Sequence, residues 1–244
     1  MDRMPLMADD WNDLHVAVTG GTGALGTAVT EKLLDLGATC HVPCFDAAEV
    51  ERCTFKDSVR IHLVEPVDLR DDSSAVDFYA DLPPLWASIH CTGGFAMAPI
   101  AEVGLADWER QMRLNAATAF LCCREAVKSI RRRGGEPAGG RLVNVAARPA
   151  LEPRSGAGMV AYTMSKAAVA ALTVALGEEL AGEGIWVNAV APSIIDTPAN
   201  RAAMPDADHD RWPTPAQIAE SIVFLASPGN RSTRCGVVPV YGAS

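Results

Sequence analysis

The sequence predicts one α/β domain in which a parallel, doubly wound sheet of about seven strands carries helices on both faces. Three observations predict it. Short apolar, β-branched runs alternate with helix-patterned segments from residue 14 to the end of the chain, the rhythm of successive βα units. A glycine-rich turn, Thr19-Gly20-Gly21-Thr22-Gly23-Ala24-Leu25-Gly26, joins the first expected strand to the first expected helix. A second glycine turn, Thr92-Gly93-Gly94, follows the fourth strand, and ligands of open α/β sheets sit at the carboxyl ends of strands. With 244 residues, 49% of them hydrophobic, the chain buries a sizeable core without needing two. The domain is expected over residues 13–244, behind an N-terminal extension of residues 1–12.

Taken in order, residues 14–18 (LHVAV) form the first strand, and residues 28–34 (AVTEKLL) have apolar spacing that suits a helix. Strand, glycine turn and helix start together make an anion site, because unpaired N–H groups and the positive helix end point at one spot. The alternative is a tight βα turn that needs glycine only for its backbone angles. Gly37 ends the helix, and residues 38–42 give a second strand stopped by Pro43. Asp46 lies just beyond. An acidic residue there favours NAD and a basic one tolerates the extra phosphate of NADP, so NAD is slightly favoured and the choice stays open. Residues 59–64 are the third strand, followed by Asp68 and Leu69, with Asp68 either a cap or turn residue or a contact to an adenine amino group. Residues 85–91 are the fourth strand.

A long helical region spans 105–133, its apolar face interrupted by Asn115, which on spacing alone reads as a hydrogen-bonded core amide. Residues 141–145 follow Gly139-Gly140 as the fifth strand, and a Pro/Arg/Gly-rich loop at 148–158 leads into a second long helix over 159–180. Residues 185–190 are the sixth strand, Ala191-Pro192-Ser193 a turn, 214–226 a helix with Pro215 at a favoured early position, and 236–240 the last strand. The segment 199–211 is expected to be a mobile flap over a substrate.

Composition excludes several classes of function. A net charge of −9 and a pI near 5.0 argue against a nucleic-acid partner. The dense basic run Arg131-Arg132-Arg133 precedes two glycines and suits the negative end of a helix. Seven scattered cysteines without a CxxC pair suggest neither a disulfide framework nor a zinc site, and the five histidines show no metal-ligand spacing. No metal is expected. The N-terminal segment is short and acidic, unlike a signal peptide or membrane span. A soluble, cytoplasmic protein without a membrane partner is the expectation.

Tyr162 and Lys166 stand four residues apart, on one helix face. A cation beside a phenol favours the phenolate and lowers its pKa from about 10, which suits proton transfer near neutral pH. With this pair added to the glycine turns, the chain resembles the short-chain dehydrogenase/reductase family over nearly its whole length. The carrying residues are Thr19 to Gly26, Asp68, Thr92-Gly93-Gly94, Asn115, Tyr162 with Lys166, Pro192 with Thr197, and the tail from Gly236 to Gly242. The resemblance implies a Rossmann-type fold and an NAD or NADP cofactor. Tyr162 is then the acid/base, Lys166 holds the nicotinamide ribose and tunes the phenol, and Asn115 supports a proton-relay water. It implies cofactor contacts from Thr19, Gly20, Thr22, Ala24, Leu25, Gly26, Asp46, Asp68, Leu69, Gly93, Pro192, Ile195 and Thr197 as well.

Three positions depart from the family pattern. Ala24 stands at the usual middle glycine, and His90-Cys91-Thr92-Gly93 replaces Asn-Asn-Ala-Gly. Ala147 stands where the family presents the serine that hydrogen-bonds the substrate oxygen, a loss that typically costs about 10²–10³ in rate. One branch keeps tyrosine and lysine without that serine, dihydropteridine reductase. Residues 147–151, 158–162 and 196–212 resemble it. The expected activity is therefore reduction of a carbonyl or of a conjugated C=N or quinonoid group on a small molecule, with Ala147, Arg148 and Arg154 beside the substrate. The alternatives are a dihydropteridine reductase-like enzyme and a non-catalytic cofactor-binding protein. The resemblance further implies a homodimer or homotetramer paired through the 105–133 and 159–180 helices.

Overall fold

The computed structural model describes residues 11–244; residues 1–10, most of the expected extension, lie outside the described residues. Among the described residues seven strands form one sheet: β1 (His15–Thr19), β2 (Thr39–Pro43), β3 (Ile61–Val64), β4 (Ala87–His90), β5 (Gly140–Val145), β6 (Ile185–Pro192) and β7 (Val237–Val240). Their order is β3-β2-β1-β4-β5-β6-β7 and every pairing is parallel. The chain winds outward from β1 in one direction, then crosses to β4 and winds in the other. That reversal opens a crevice between the carboxyl ends of β1 and β4.

The connecting helices are α1 (Ala24–Asp35), α2 (Ala47–Glu51), α3 (Asp72–Asp81), α4 (Leu105–Gln111), α5 (Thr118–Arg131), α6 (Arg148–Leu151), α7 (Val160–Glu179), α8 (Pro198–Ala203) and α9 (Pro215–Ala226). One apolar cluster joins α1 and α9 to the sheet through Val29, Leu33, Ile218 and Ile222. A second joins α3 and α5 to the sheet through Phe78, Tyr79, Cys122 and Ile130. A smaller one, with Ala119, Ala146, Val169, Ala189 and Ala191, includes residues of α5 and α7. Trp11, expected in the extension, is fully buried in the first cluster, so the core starts before residue 13.

The structure corrects the expected long helix at 105–133. Met112–Ala117 is a π-helical turn between α4 and α5, a feature that shifts the helix face and is frequent at functional sites. Its one buried residue is Asn115. At the end of α5, Arg131 forms a two-pronged ion pair with Glu183, and Arg132 donates to the carbonyls of Tyr79, Ala80 and Leu82. The basic run is a helix terminus, as its two following glycines suggest. Among the described residues α7 alone is long and apolar enough to cross a membrane, and it packs on β6, α6 and the π turn. All seven cysteines are unpaired as disulfides. The expected flap contains the short helix α8, anchored by a two-pronged Arg201–Asp196 pair.

Candidate active site

The glycine turn after β1 is dictated by close backbone approach. Gly20 has φ of +65°, and a Cβ on it would lie 2.7 Å from Thr92 N, so the turns after β1 and β4 touch. A Cβ on Gly26 would lie 2.0 Å from Gly20 O, which lets α1 start directly against the turn. Gly23 is the N-cap of α1 and offers no side chain to its N–H groups. Thr22, Gly23 and Ala24 lie at the surface of the turn, whereas Leu25 and Gly26 are buried. These residues fit a dinucleotide. Backbone donors are left at a helix N-terminus, and the lack of a Cβ on Gly93 lets Asn115 and Lys166 pack against the turn after β4, since a Cβ there would lie 2.7 Å from Asn115 Oδ1 and 3.2 Å from Lys166 Nζ. Thr19 is fully buried, and its hydroxyl has no hydrogen-bond partner among the described residues.

Two acidic residues expected near the adenosine are occupied locally. Asp46 is the N-cap of α2, accepting from Glu49 N at 3.0 Å while Glu49 accepts from Phe45 N at 2.8 Å. Asp68 accepts from Arg70 Nε and Nη2, both at 2.8 Å, and from Arg70 N at 2.9 Å, which holds its carboxyl below the usual range. Of the two readings left open for Asp68, turn residue or adenine contact, the turn and ion pair describe its contacts. Leu69 beside it is buried core.

The residues expected to be catalytic come from two elements, α7 and the π turn. Tyr162 and Lys166 stand one turn apart on α7. Asn115 in the π turn donates from Nδ2 to Gly94 O at 3.0 Å, to Ser165 Oγ at 3.0 Å and to Gln111 Oε1 at 3.3 Å, and its Oδ1 accepts from Gly94 N at 3.0 Å. Ser165 Oγ in turn donates to Tyr162 O at 2.7 Å. This chain of bonds fastens the glycine turn after β4 to the helix that carries the phenol. Asn115 is thus a hydrogen-bonded buried amide, and its bonds organise the site.

Electrostatics correct one expectation. Burial pushes the Tyr162 phenol up to about 12, with no opposing influence from Lys166. Burial also pulls the Lys166 ammonium down to about 8, and Nζ donates to Val145 O at 2.8 Å. Burial alone sets the direction of the phenol's shift, and the ammonium is bonded to a strand carbonyl. The phenol stays protonated near neutral pH.

On the substrate side, Ala147 is buried at the end of β5 and caps α6 without a side-chain bond. Ser155 does not replace the missing hydroxyl, since its Oγ donates to Glu152 O at 2.8 Å. Arg148 is held by Glu152 Oε2 at 2.8 Å and stacks over the Tyr241 ring at 4.8 Å. Arg154 is exposed. Pro192 ends β6, Thr197 is the N-cap of α8 through Asn200 N at 3.2 Å, and Ile195 O accepts from Asn200 Nδ2 at 2.8 Å. Sequence reasoning missed Ser165, legible only as the polar residue between Tyr162 and Lys166 on the helix. It also missed Phe95, whose ring meets Tyr162 edge-on at 5.0 Å.

Comparison with known proteins agrees with this geometry. A family model described as short chain dehydrogenase matches residues 14–208. Galactitol 2-dehydrogenase of Rhizobium johnstonii is 32% identical, the match covering 92% of this chain and 91% of the relative. 2,3-Dihydro-2,3-dihydroxybenzoate dehydrogenase of Escherichia coli is 29% identical, with 89% and 91% covered. A solved short chain dehydrogenase/reductase family protein superposes with a TM-score of 0.86 at 25% identity, covering 96% of this chain and 97% of its own. A 3-ketoacyl-(acyl-carrier-protein) reductase from Brucella melitensis complexed with NADH shares the fold, with a TM-score of 0.82 at 21% identity and 95% and 98% covered. The chain belongs to the short-chain dehydrogenase/reductase family and is an NAD(P)-dependent oxidoreductase.

Proposed function

We propose that the protein reduces a carbonyl or conjugated C=N carbon of a small molecule, with Tyr162 as proton donor and no catalytic serine. The observation that carries the reading is the gathering of Tyr162, Lys166 and Asn115 beside the β1/β4 crevice. When bound there, the dinucleotide supplies the hydride. Tyr162 gives its proton to the substrate oxygen or nitrogen; its phenol carries that proton near neutral pH, and a pKa raised by burial makes it a weaker donor than one tuned toward neutrality. Lys166, one turn along, lies against Gly93 and would hold the nicotinamide ribose. Asn115 keeps the Gly94 turn and α7 in register through Ser165. Ala147 offers no hydroxyl, so an acceptor that needs little polarisation is favoured, a conjugated or otherwise activated one.

The dihydropteridine reductase-like reading rests on segments 147–151, 158–162 and 196–212 and on the absence of the serine. Ala147 also favours the second reading, a cofactor-binding protein without catalysis. Purified protein titrated with NADH and NADPH, then offered quinonoid dihydropterin and a panel of ketones, separates them. Cofactor oxidation is expected, falling by about 10²–10⁴ in Tyr162→Phe with cofactor affinity kept; tight binding without turnover on any acceptor supports the non-catalytic reading.

A cytoplasmic homodimer or homotetramer belongs to the same proposal. Phe120 on α5 and Met164 and Val174 on α7 are about half exposed, and α7 is largely unburied in one chain. Light scattering is expected to give twice or four times the 25.8 kDa chain mass; a monomer contradicts the assembly.

A further inference from the structure

The geometry points to an aryl subsite beside Tyr162, with Phe95 setting specificity for carbonyl compounds that carry a compact aromatic or branched alkyl group. This rests on the carbonyl-reduction reading above. A carbonyl oxygen that takes a proton from Tyr162 must place its substituents against whatever adjoins the phenol. Phe95 adjoins it, ring centroids 5.0 Å apart and planes 79° to one another, an edge-to-face arrangement in which a third ring also fits. Phe95 is 59% exposed and Met97 62% exposed on the same loop, a large apolar area on one short segment. Met97 also reaches the loop before α7: a Cβ on Gly158 would lie 3.7 Å from Met97 Cε.

Met97 also lines an open cavity of about 180 Å³, whose apolar wall includes Val103, Met159 and Val160 and whose polar wall is Glu102, Asp107, Arg110 and Gln111. Gln111 in its wall is hydrogen-bonded to Asn115, which ties the cavity to the π turn. The cations near the site are committed elsewhere. Arg110 pairs with Asp107 at 2.6 Å and Arg148 with Glu152 at 2.8 Å, so the surface that a substituent meets beside the phenol is that of Phe95 and Met97. A polyhydroxylated substituent would leave its hydroxyls unpaired against Phe95 and Met97, a mismatch that disfavours polyol or sugar substrates.

The test measures NADH- and NADPH-dependent reduction of 4′-fluoroacetophenone, 1-phenyl-1,2-propanedione and fructose, together with fluorine line broadening of 4′-fluoroacetophenone bound to the protein. Higher kcat/KM for the aryl ketones than for fructose is expected, with line broadening by the wild type. Phe95→Ala should lower the aryl kcat/KM about 10- to 200-fold, chiefly through KM, as for one hydrophobic group in a pocket. Met97→Ser should act in the same direction. Faster turnover of fructose, or aryl turnover and broadening unchanged in both variants, overturns the subsite and leaves carbonyl reduction standing. Broadening lost in Phe95→Ala without turnover of any ketone supports the subsite and counts against the reductase. No broadening and no turnover overturns both.

Discussion

The two halves of the sheet use their polar residues in opposite ways. In the β1–β3 half, Asp46 and Asp68 stand where the nucleotide would meet side chains, yet each is taken up within a few residues, by the α2 cap and by Arg70. Besides the unpaired Thr19 hydroxyl, what the fold leaves uncommitted there is backbone, the glycine turn and the start of α1. In the β4–β6 half, the reverse holds. Asn115 in the π turn meets Ser165 on α7, 50 residues away, and Asn115 and Lys166 have partners supplied by other elements, Gly94 and Val145. A function carried by backbone is written in local sequence, because glycine is needed wherever a Cβ would collide. A function carried by side chains depends on neighbours that local sequence does not show.

The largest expected effect tests the catalytic half. Ala147 is buried at the end of β5 with no other hydroxyl in its place. Ala147→Ser adds one oxygen and restores a donor of a kind worth about 10²–10³ in rate. For an unactivated ketone, turnover should rise by about tenfold or more; for a substrate that needs little polarisation it should change little. A fall in turnover for every acceptor would show that Ala147 contacts the substrate directly and that the cavity has no room for a hydroxyl.

The fold was legible because its signals are periodic and local. All seven strands appear where apolar runs and glycines placed them, with ends shifted by a residue or two, and the helix at 159–180 appears as Val160–Glu179. The π turn at Met112–Ala117 was not legible, since its cause is the set of bonds Asn115 makes to Gly94 and Ser165, residues 21 and 50 positions away. The pair Tyr162/Lys166 was legible from its spacing, but its electrostatics were not. Sequence places the ammonium near the phenol and says nothing of Val145 O, toward which it is turned, or of the burial that dominates both groups. Arg148 shows the same limit, a residue expected beside the substrate from the sequence and a partner of Glu152 and Tyr241 in the fold.

The displaced lysine sharpens the comparison through pH. Its ammonium is held to about 8 by burial, so it is charged below that pH and neutral above it. Tyr162, raised to about 12, stays protonated across the whole range of a practical assay. Reduction should therefore decline by about tenfold per pH unit well above pH 8, the limb belonging to Lys166. In Lys166→Arg the guanidinium keeps its charge, and whatever activity remains should lose that limb. Persistence of the same limb in the variant would assign it to another group, and a limb near pH 6 would contradict the absence of a lowered phenol.

The smallest expected effect lies in the nucleotide half. If Asp46 is spent on the α2 cap, Asp46→Asn keeps the cap, since asparagine serves there as well as aspartate, and the melting temperature should not move. The ratio of NADH to NADPH affinity should then change by at most about fivefold, the worth of one exposed charge contact. The direction should be toward NADPH, because removing a carboxylate relieves repulsion of a 2′-phosphate. A shift of a hundredfold would mean that the carboxylate reaches the ribose when the dinucleotide binds. The β1–β3 half would then select its ligand with a side chain, as the catalytic half does, and the contrast between backbone recognition and side-chain chemistry would fail at the residue where it is easiest to measure.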